Sequence, residues 1–138
     1  MIILQDLEIT RAYPDKVVKP LQGWLKSIDP LDQDKEHTIV LTLNVRNRVT
    51  CVDVVCIGLL DSSFVHPREV FRRAIALGAA KIILAHNHPS KNCEPSTEDI
   101  LCTKRVLEAG EIIGIELIDH IIFCPTDHYS FVEHGGLL

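Results

Sequence analysis

The sequence is short of basic residues. Fourteen Lys and Arg stand against nineteen Asp and Glu, a formal net charge of −5. A general nucleic-acid coat protein needs a basic surplus to displace counterions from phosphate, so that class is excluded and only a local basic patch stays open. No apolar run approaches the roughly 20 residues of a membrane span, and no membrane partner is expected. The segment Met1–Asp6 has no basic stretch, and its apolar run is too short for a signal peptide. The expected location is the cytoplasm. Five cysteines stand at positions 51, 56, 93, 102 and 124, an odd number with no Cys-x-x-Cys. That argues against a disulfide framework and against a thiolate zinc site, and the expected state is buried or idle thiols. There is no internal repeat, low-complexity run or Gly/Ser-rich linker.

What remains is an ordinary globular composition, 46% hydrophobic and 24% charged over 138 residues. That length predicts one domain. Residues 1–31 read as an N-terminal appendage with a short helix, and residues 32–138 as the domain itself. In the appendage Val17, Leu21, Trp24, Leu25 and Ile28 recur at helical spacing. Pro20 is expected to lie near the helix start and Asp29-Pro30 to end it. A hairpin follows: Ile39, Leu41 and Leu43 alternate, Asn44–Asn47 supplies turn residues, and Val49–Ile57 is β-branched and apolar. Gly58–Val65 reads as a loop or irregular strand. His66-Pro67 opens a helix with Val70, Phe71, Ala74, Ile75 and Leu77 inward, closed by Gly78. Ala80–Ala85 is a buried strand. Ser96 begins a second helix with Ile100, Leu101, Val106 and Leu107 inward, ending at Gly110 or Gly114. Ile115–Cys124 is a strand, and Tyr129–Val132 a last short one. The order gives a mixed α/β domain.

The apolar strand delivers His86-Asn87-His88-Pro89, and seven residues later comes Ser96-x-x-Asp99. Histidines at i and i+2 of an extended chain point to one side. Both imidazoles can therefore reach one metal, and Asp99 can close the site from the next helix. Two neutral nitrogens and a carboxylate leave a fourth position for water, the arrangement of a catalytic zinc site. Each half has a plainer explanation: Ser96-x-x-Asp99 is close to a capping box, and strand-end histidines are often simply exposed. A zinc hydrolase also needs a general base, for which Glu36, Asp53, Glu69, Glu94 and Glu98 are candidates. Asp119-His120, inside an apolar strand, is either a buried hydrogen-bonded pair or a support for the site. Asp53, in another, is either solvent-facing or partnered.

These segments resemble the JAMM (MPN-type) metalloprotease signature and, more narrowly, the RadC family. The resemblance rests on Leu43–Arg48, Val65–Phe71, Ile82–Ser90, Pro95–Ile100, Glu108–Gly110 and Leu117–Ile122. It implies a mixed β-sheet flanked by helices, of cytidine-deaminase-like layout. It implies one zinc ion held by His86, His88 and Asp99, with Ser96 stabilising an oxyanion and Glu36 as general base. Asp119, His120 and Asp53 are candidates to support that site. The activity implied is cleavage of a peptide or isopeptide bond in an unidentified substrate. The alternative is a DNA-repair or mobile-element accessory role that uses the domain for binding; Arg46, Arg48, Arg68, Arg72 and Arg73 would then matter. The sequence departs from the family at Lys91 and Cys93, where Gly and Pro are common, and Cys93 is a further candidate to approach the metal. The family's helix-hairpin-helix segment is expected to be missing from the first 30 residues.

Overall fold

The computed structural model describes residues 2–3, 13–58 and 65–137. Among these residues, six strands form one mixed sheet: β1 (Ile2–Ile3), β2 (Glu36–Leu43), β3 (Val49–Gly58), β4 (Lys81–Asn87), β5 (Glu116–Phe123) and β6 (His128–Ser130), in the order β1-β3-β2-β4-β5-β6. All neighbours are antiparallel except β4 and β5, which run parallel. The expected hairpin is β2–β3. Its turn is built by Asn44, whose Oδ1 accepts from the N–H of Arg46 and of Arg48, and by Asn47 at φ 60°. Most of the expected loop between Gly58 and Val65 lies outside the described residues.

Among the described residues, three helices cover the sheet: α1 (Pro14–Ser27) on one face, α2 (Pro67–Ala76) and α3 (Thr97–Ile113) on the other. Helix α1 inserts Val17, Val18 and Leu21 against Ile39, Leu41, Ile83 and Phe123. It starts at Pro14, at the first-turn position where a missing N–H is harmless, and Pro20 lies inside it. The expectation that the helix begins near Pro20 is therefore corrected. Burial of Val17, Val18 and Leu21 on both sides of Pro20 offsets the one hydrogen bond the proline removes.

The opposite face packs Val40, Ile82, Leu84 and Leu117 under Val70, Phe71, Ala74 and Val106. Ile75 and Leu77 of the α2 segment, and Ile100 and Leu101 of α3, are exposed, contrary to expectation. In α3 the inward stripe is Asp99, Thr103, Val106 and Gly110, so small and polar residues face the sheet where larger apolar ones were expected. Gly110 has a steric reason to be there. A Cβ at that position would collide with the backbone oxygen of Ile115 and crowd the Phe71 ring at 3.2 Å. The helix runs on to Gly114, whose φ of 85° supplies the left-handed C-cap.

Alternation along the strands decides what reaches the α3 side. Val40 of β2 and Ile82 and Leu84 of β4 point there, and so do Glu36 and His86 by the two-residue period. Thr38 and His86 are register partners. The start of β2 and the end of β4 thus meet beside the N-terminus of α3.

A candidate metal centre

His88 lies just past β4, but its N–H donates to Phe123 O at 2.8 Å, which keeps it in line with the strand. The i, i+2 geometry therefore holds. His86 Nε2 and His88 Nε2 are 3.1 Å apart. Asp99 faces them with both oxygens, Oδ1 at 3.1 Å from His86 Nε2 and Oδ2 at 3.0 Å from His88 Nε2. Glu36 Oε1 is 3.7 Å from His88 Nε2. The donor atoms of Glu36, His86, His88 and Asp99 all lie within 4.8 Å of one another. Glu36, His86 and Asp99 are buried and His88 is half-buried.

Asp99 is held by a complete capping box. Ser96 Oγ accepts from the Asp99 N–H at 3.1 Å, and Asp99 Oδ2 accepts from the Ser96 N–H at 2.8 Å. The capping and metal explanations of Ser96-x-x-Asp99 are thus compatible: the box points the same carboxylate at both histidines. Burial pushes the Asp99 carboxyl up, but the His86 and His88 rings facing it outweigh that and hold the group well below the usual carboxylate range. For His88 burial works downward. It is outweighed by Asp99, the Asn92 carbonyl and the nearby Glu36 charge, so its pKa is raised.

Proton placement behind the cluster follows from which groups can only accept. Thr103 Oγ1 donates to the carbonyl of Asp99 at 2.8 Å, so the short contact between Thr103 Oγ1 and His120 Nδ1 is donated by the ring. His120 is fully buried and kept neutral, its pKa pushed well below 6.5 by desolvation and then by the neighbouring His86. Its Nε2 therefore accepts, and His86 Nδ1–H donates to it at 2.8 Å. That leaves the lone pair of His86 Nε2 aimed into the cluster, 3.1 Å from an Asp99 oxygen that also only accepts. A cation resolves that opposition. His88 is set up in the same way, its Nδ1–H donating to Asn92 O at 3.0 Å. Two imidazole nitrogens and two carboxylates form a donor set that suits zinc.

The other expected residues fall elsewhere. Asp119 does not join the cluster; its carboxylate accepts from Ser130 Oγ at 2.6 Å and from the N–H groups of Val132 and His120. Asp53 is buried on β3 with Arg73 Nε of α2 at 3.7 Å, on the far side of β2 from β4. Ser96 reaches the cluster through its mutual bonds with Asp99. Cys93 is not a ligand: it forms a disulfide with Cys124. This corrects the expectation of idle thiols for that pair, since the loop after His88 folds back over the end of β5 and brings two distant cysteines together; Cys51, Cys56 and Cys102 are free. Sequence reasoning did not single out Thr103 or Asn87, whose roles arise only from contacts across the fold.

A family model described as "RadC-like JAB domain" matches residues 13–137. The chain belongs to the RadC-like JAB domain family. Relatives of this RadC-like domain include a UPF0758 protein of Desulforamulus reducens, 55% identical over 107 residues, which covers 78% of the chain and 47% of the relative. A UPF0758 protein of Caldanaerobacter subterraneus subsp. tengcongensis is 48% identical over 135 residues, covering 98% of the chain and 56% of the relative. One from Rubrobacter xylanophilus is 52% identical over 104 residues, covering 75% and 45%. The RadC-like chain thus spans about half the length of the curated relatives it matches. Among its described residues, no helix is long and apolar enough to cross a membrane.

Proposed function

We propose that this RadC-like domain is a zinc-dependent hydrolase acting on a peptide or isopeptide bond in the cytoplasm. The observation that carries the reading is the convergence of Glu36, His86, His88 and Asp99 within 4.8 Å. In this reading His86, His88 and Asp99 hold one zinc ion, and His120 with Thr103 keeps the His86 proton on the ring nitrogen that faces away from it. When bound, zinc supplies Lewis acidity and brings the pKa of a water to about 7. Glu36 takes a proton from the attacking water on its carboxylate and returns it to the nitrogen of the leaving amine, so the carboxylate is regenerated each cycle. Ser96 Oγ already accepts from the Asp99 N–H, so its own proton is available for the developing oxyanion, a role typically worth about 3 kcal/mol.

Metal content of the tag-free chain by elemental mass spectrometry, beside His88→Ala, tests the first half. About one zinc per chain in the parent and none in the variant is the expected result. Glu36→Gln tests the second half against a panel of peptide and isopeptide substrates. It keeps the zinc and loses at least a hundredfold in turnover, on the order expected for a general base. Absence of zinc after reconstitution sinks the reading and leaves a binding module. Cleavage by Glu36→Gln at the parent rate removes Glu36 from the mechanism.

A further inference from the structure

The ladder between β2 and β4 ends at the pair Thr38–His86. One residue further on, Asn87 continues it with its side chain. Its Oδ1 accepts from the His37 N–H at 2.6 Å, and its Nδ2 donates to the Lys35 carbonyl at 2.9 Å. Asn87 is completely buried. These two backbone groups flank Glu36 on either side. The Lys35 carbonyl is held a second time by His37 Nδ1 at 2.9 Å, and the His37 ring sits edge-on to Trp24 of α1.

We infer that Asn87 is a positioning residue for Glu36: the residue between the two candidate metal ligands grips the peptide groups on both sides of the candidate base. One tripeptide, His86-Asn87-His88, thereby sets the distance between the ligands and the base. The inference rests on the proposed metal site. The carboxamide is suited to the task because it offers one acceptor and one donor on the same planar group, matched to an N–H and a C=O two residues apart. A carboxylate at this position keeps the acceptor and loses the donor. A methyl group loses both.

The test is paramagnetic NMR of the full chain loaded with Co2+ in place of zinc, reading relaxation of the Glu36 side-chain carboxyl carbon. Glu36→Gln identifies that resonance. Relaxation enhancement falls with the sixth power of distance, so release of Glu36 lowers it several-fold in Asn87→Ala. The enhancements at the His86 and His88 rings, and the Co2+ affinity, stay close to the parent values. Asn87→Asp gives an intermediate loss at Glu36 and serves if Asn87→Ala does not fold. An unchanged Glu36 enhancement in a folded, Co2+-loaded Asn87 variant overturns the inference and leaves the metal site standing. Equal losses at Glu36 and at both His rings also overturn it, because Asn87 would then support the fold generally. Failure of the parent to bind Co2+ or zinc removes the metal reading, and the positioning role with it.

Discussion

His86 and His88 hold their Nε2 atoms 3.1 Å apart, each within 3.1 Å of an oxygen of Asp99. Without a cation, a proton must occupy this cluster, and His88 is where it is favoured: its pKa is raised above 6.5. The stability this contributes is full below 6.5 and is lost as pH rises through the folded value. Asp99 has the opposite sense; its contribution is present above 3.8 and is lost as pH falls towards its depressed folded value. Metal-free protein is therefore more stable at mildly acidic pH and loses stability as pH rises above 6.5. Zinc replaces the His88 proton, so its apparent affinity climbs over that same window. Thermal unfolding with chelator and with zinc, across pH, checks both. A metal-free profile that stays flat as pH rises above 6.5 contradicts the proton placement.

Asp53 is fully buried, and Arg73 Nε at 3.7 Å lies beyond hydrogen-bond distance from it. Burial raises the Asp53 pKa, with the Arg73 charge working against that. A carboxyl raised in the folded state favours folding below 3.8 and loses that contribution as pH rises through its folded value. Arg73→Met strands the carboxylate. We expect a loss of about 2 kcal/mol, below the range for a fully buried pair because the Arg73 side chain is 32% exposed. Adding Asp53→Asn recovers most of it. Denaturant melts of the parent and the two variants give the answer; a double variant no better than Arg73→Met rejects the account.

The Cys93–Cys124 bond closes a segment of 31 residues. Chain entropy makes such a closure worth about 3 to 4 kcal/mol. Protein purified in air and unfolded without reductant should titrate three thiols, and five after reduction. The Cys93→Ala/Cys124→Ala variant should unfold at lower denaturant than the oxidised parent and match the parent in reductant. Five thiols before reduction would discard the bridge. In a reducing cytosol the open form is the expected one.

The fold was legible where a local pattern carries the information. The β2–β3 hairpin shows in the alternation of Ile39, Leu41 and Leu43 and in the asparagines of its turn. His86, His88 and Asp99 show because a two-residue strand period and a helix start place them with only a short loop between. Legibility failed where distant parts of the chain decide. Ile100 and Leu101 look like an inward face, but the inward row carries Thr103 for its bond to His120 and Gly110 for the approach of Ile115. Pro20 looks like a helix start because local propensity weighs against an interior proline, while the burial of α1 against the sheet outweighs it. Cys93 and Cys124 lack any motif; strand β5 and the loop after His88 bring them together. Asn87 was hidden inside the very motif that was read, since its partners Lys35 and His37 are about 50 residues away in the chain.

The capping box has a consequence for descent. Ser96 and Asp99 begin α3 by mutual hydrogen bonds, and loss of such a cap costs on the order of 1 kcal/mol whatever else the residues do. A lineage that gave up metal chemistry would be free to lose His86 and His88, but would remain under pressure to keep the serine and the aspartate. Among diverged copies of this domain, then, a surviving Ser-x-x-Asp says that the helix still starts here. Under the proposed metal reading, the two histidines are the part of the signature that records whether the chemistry was kept.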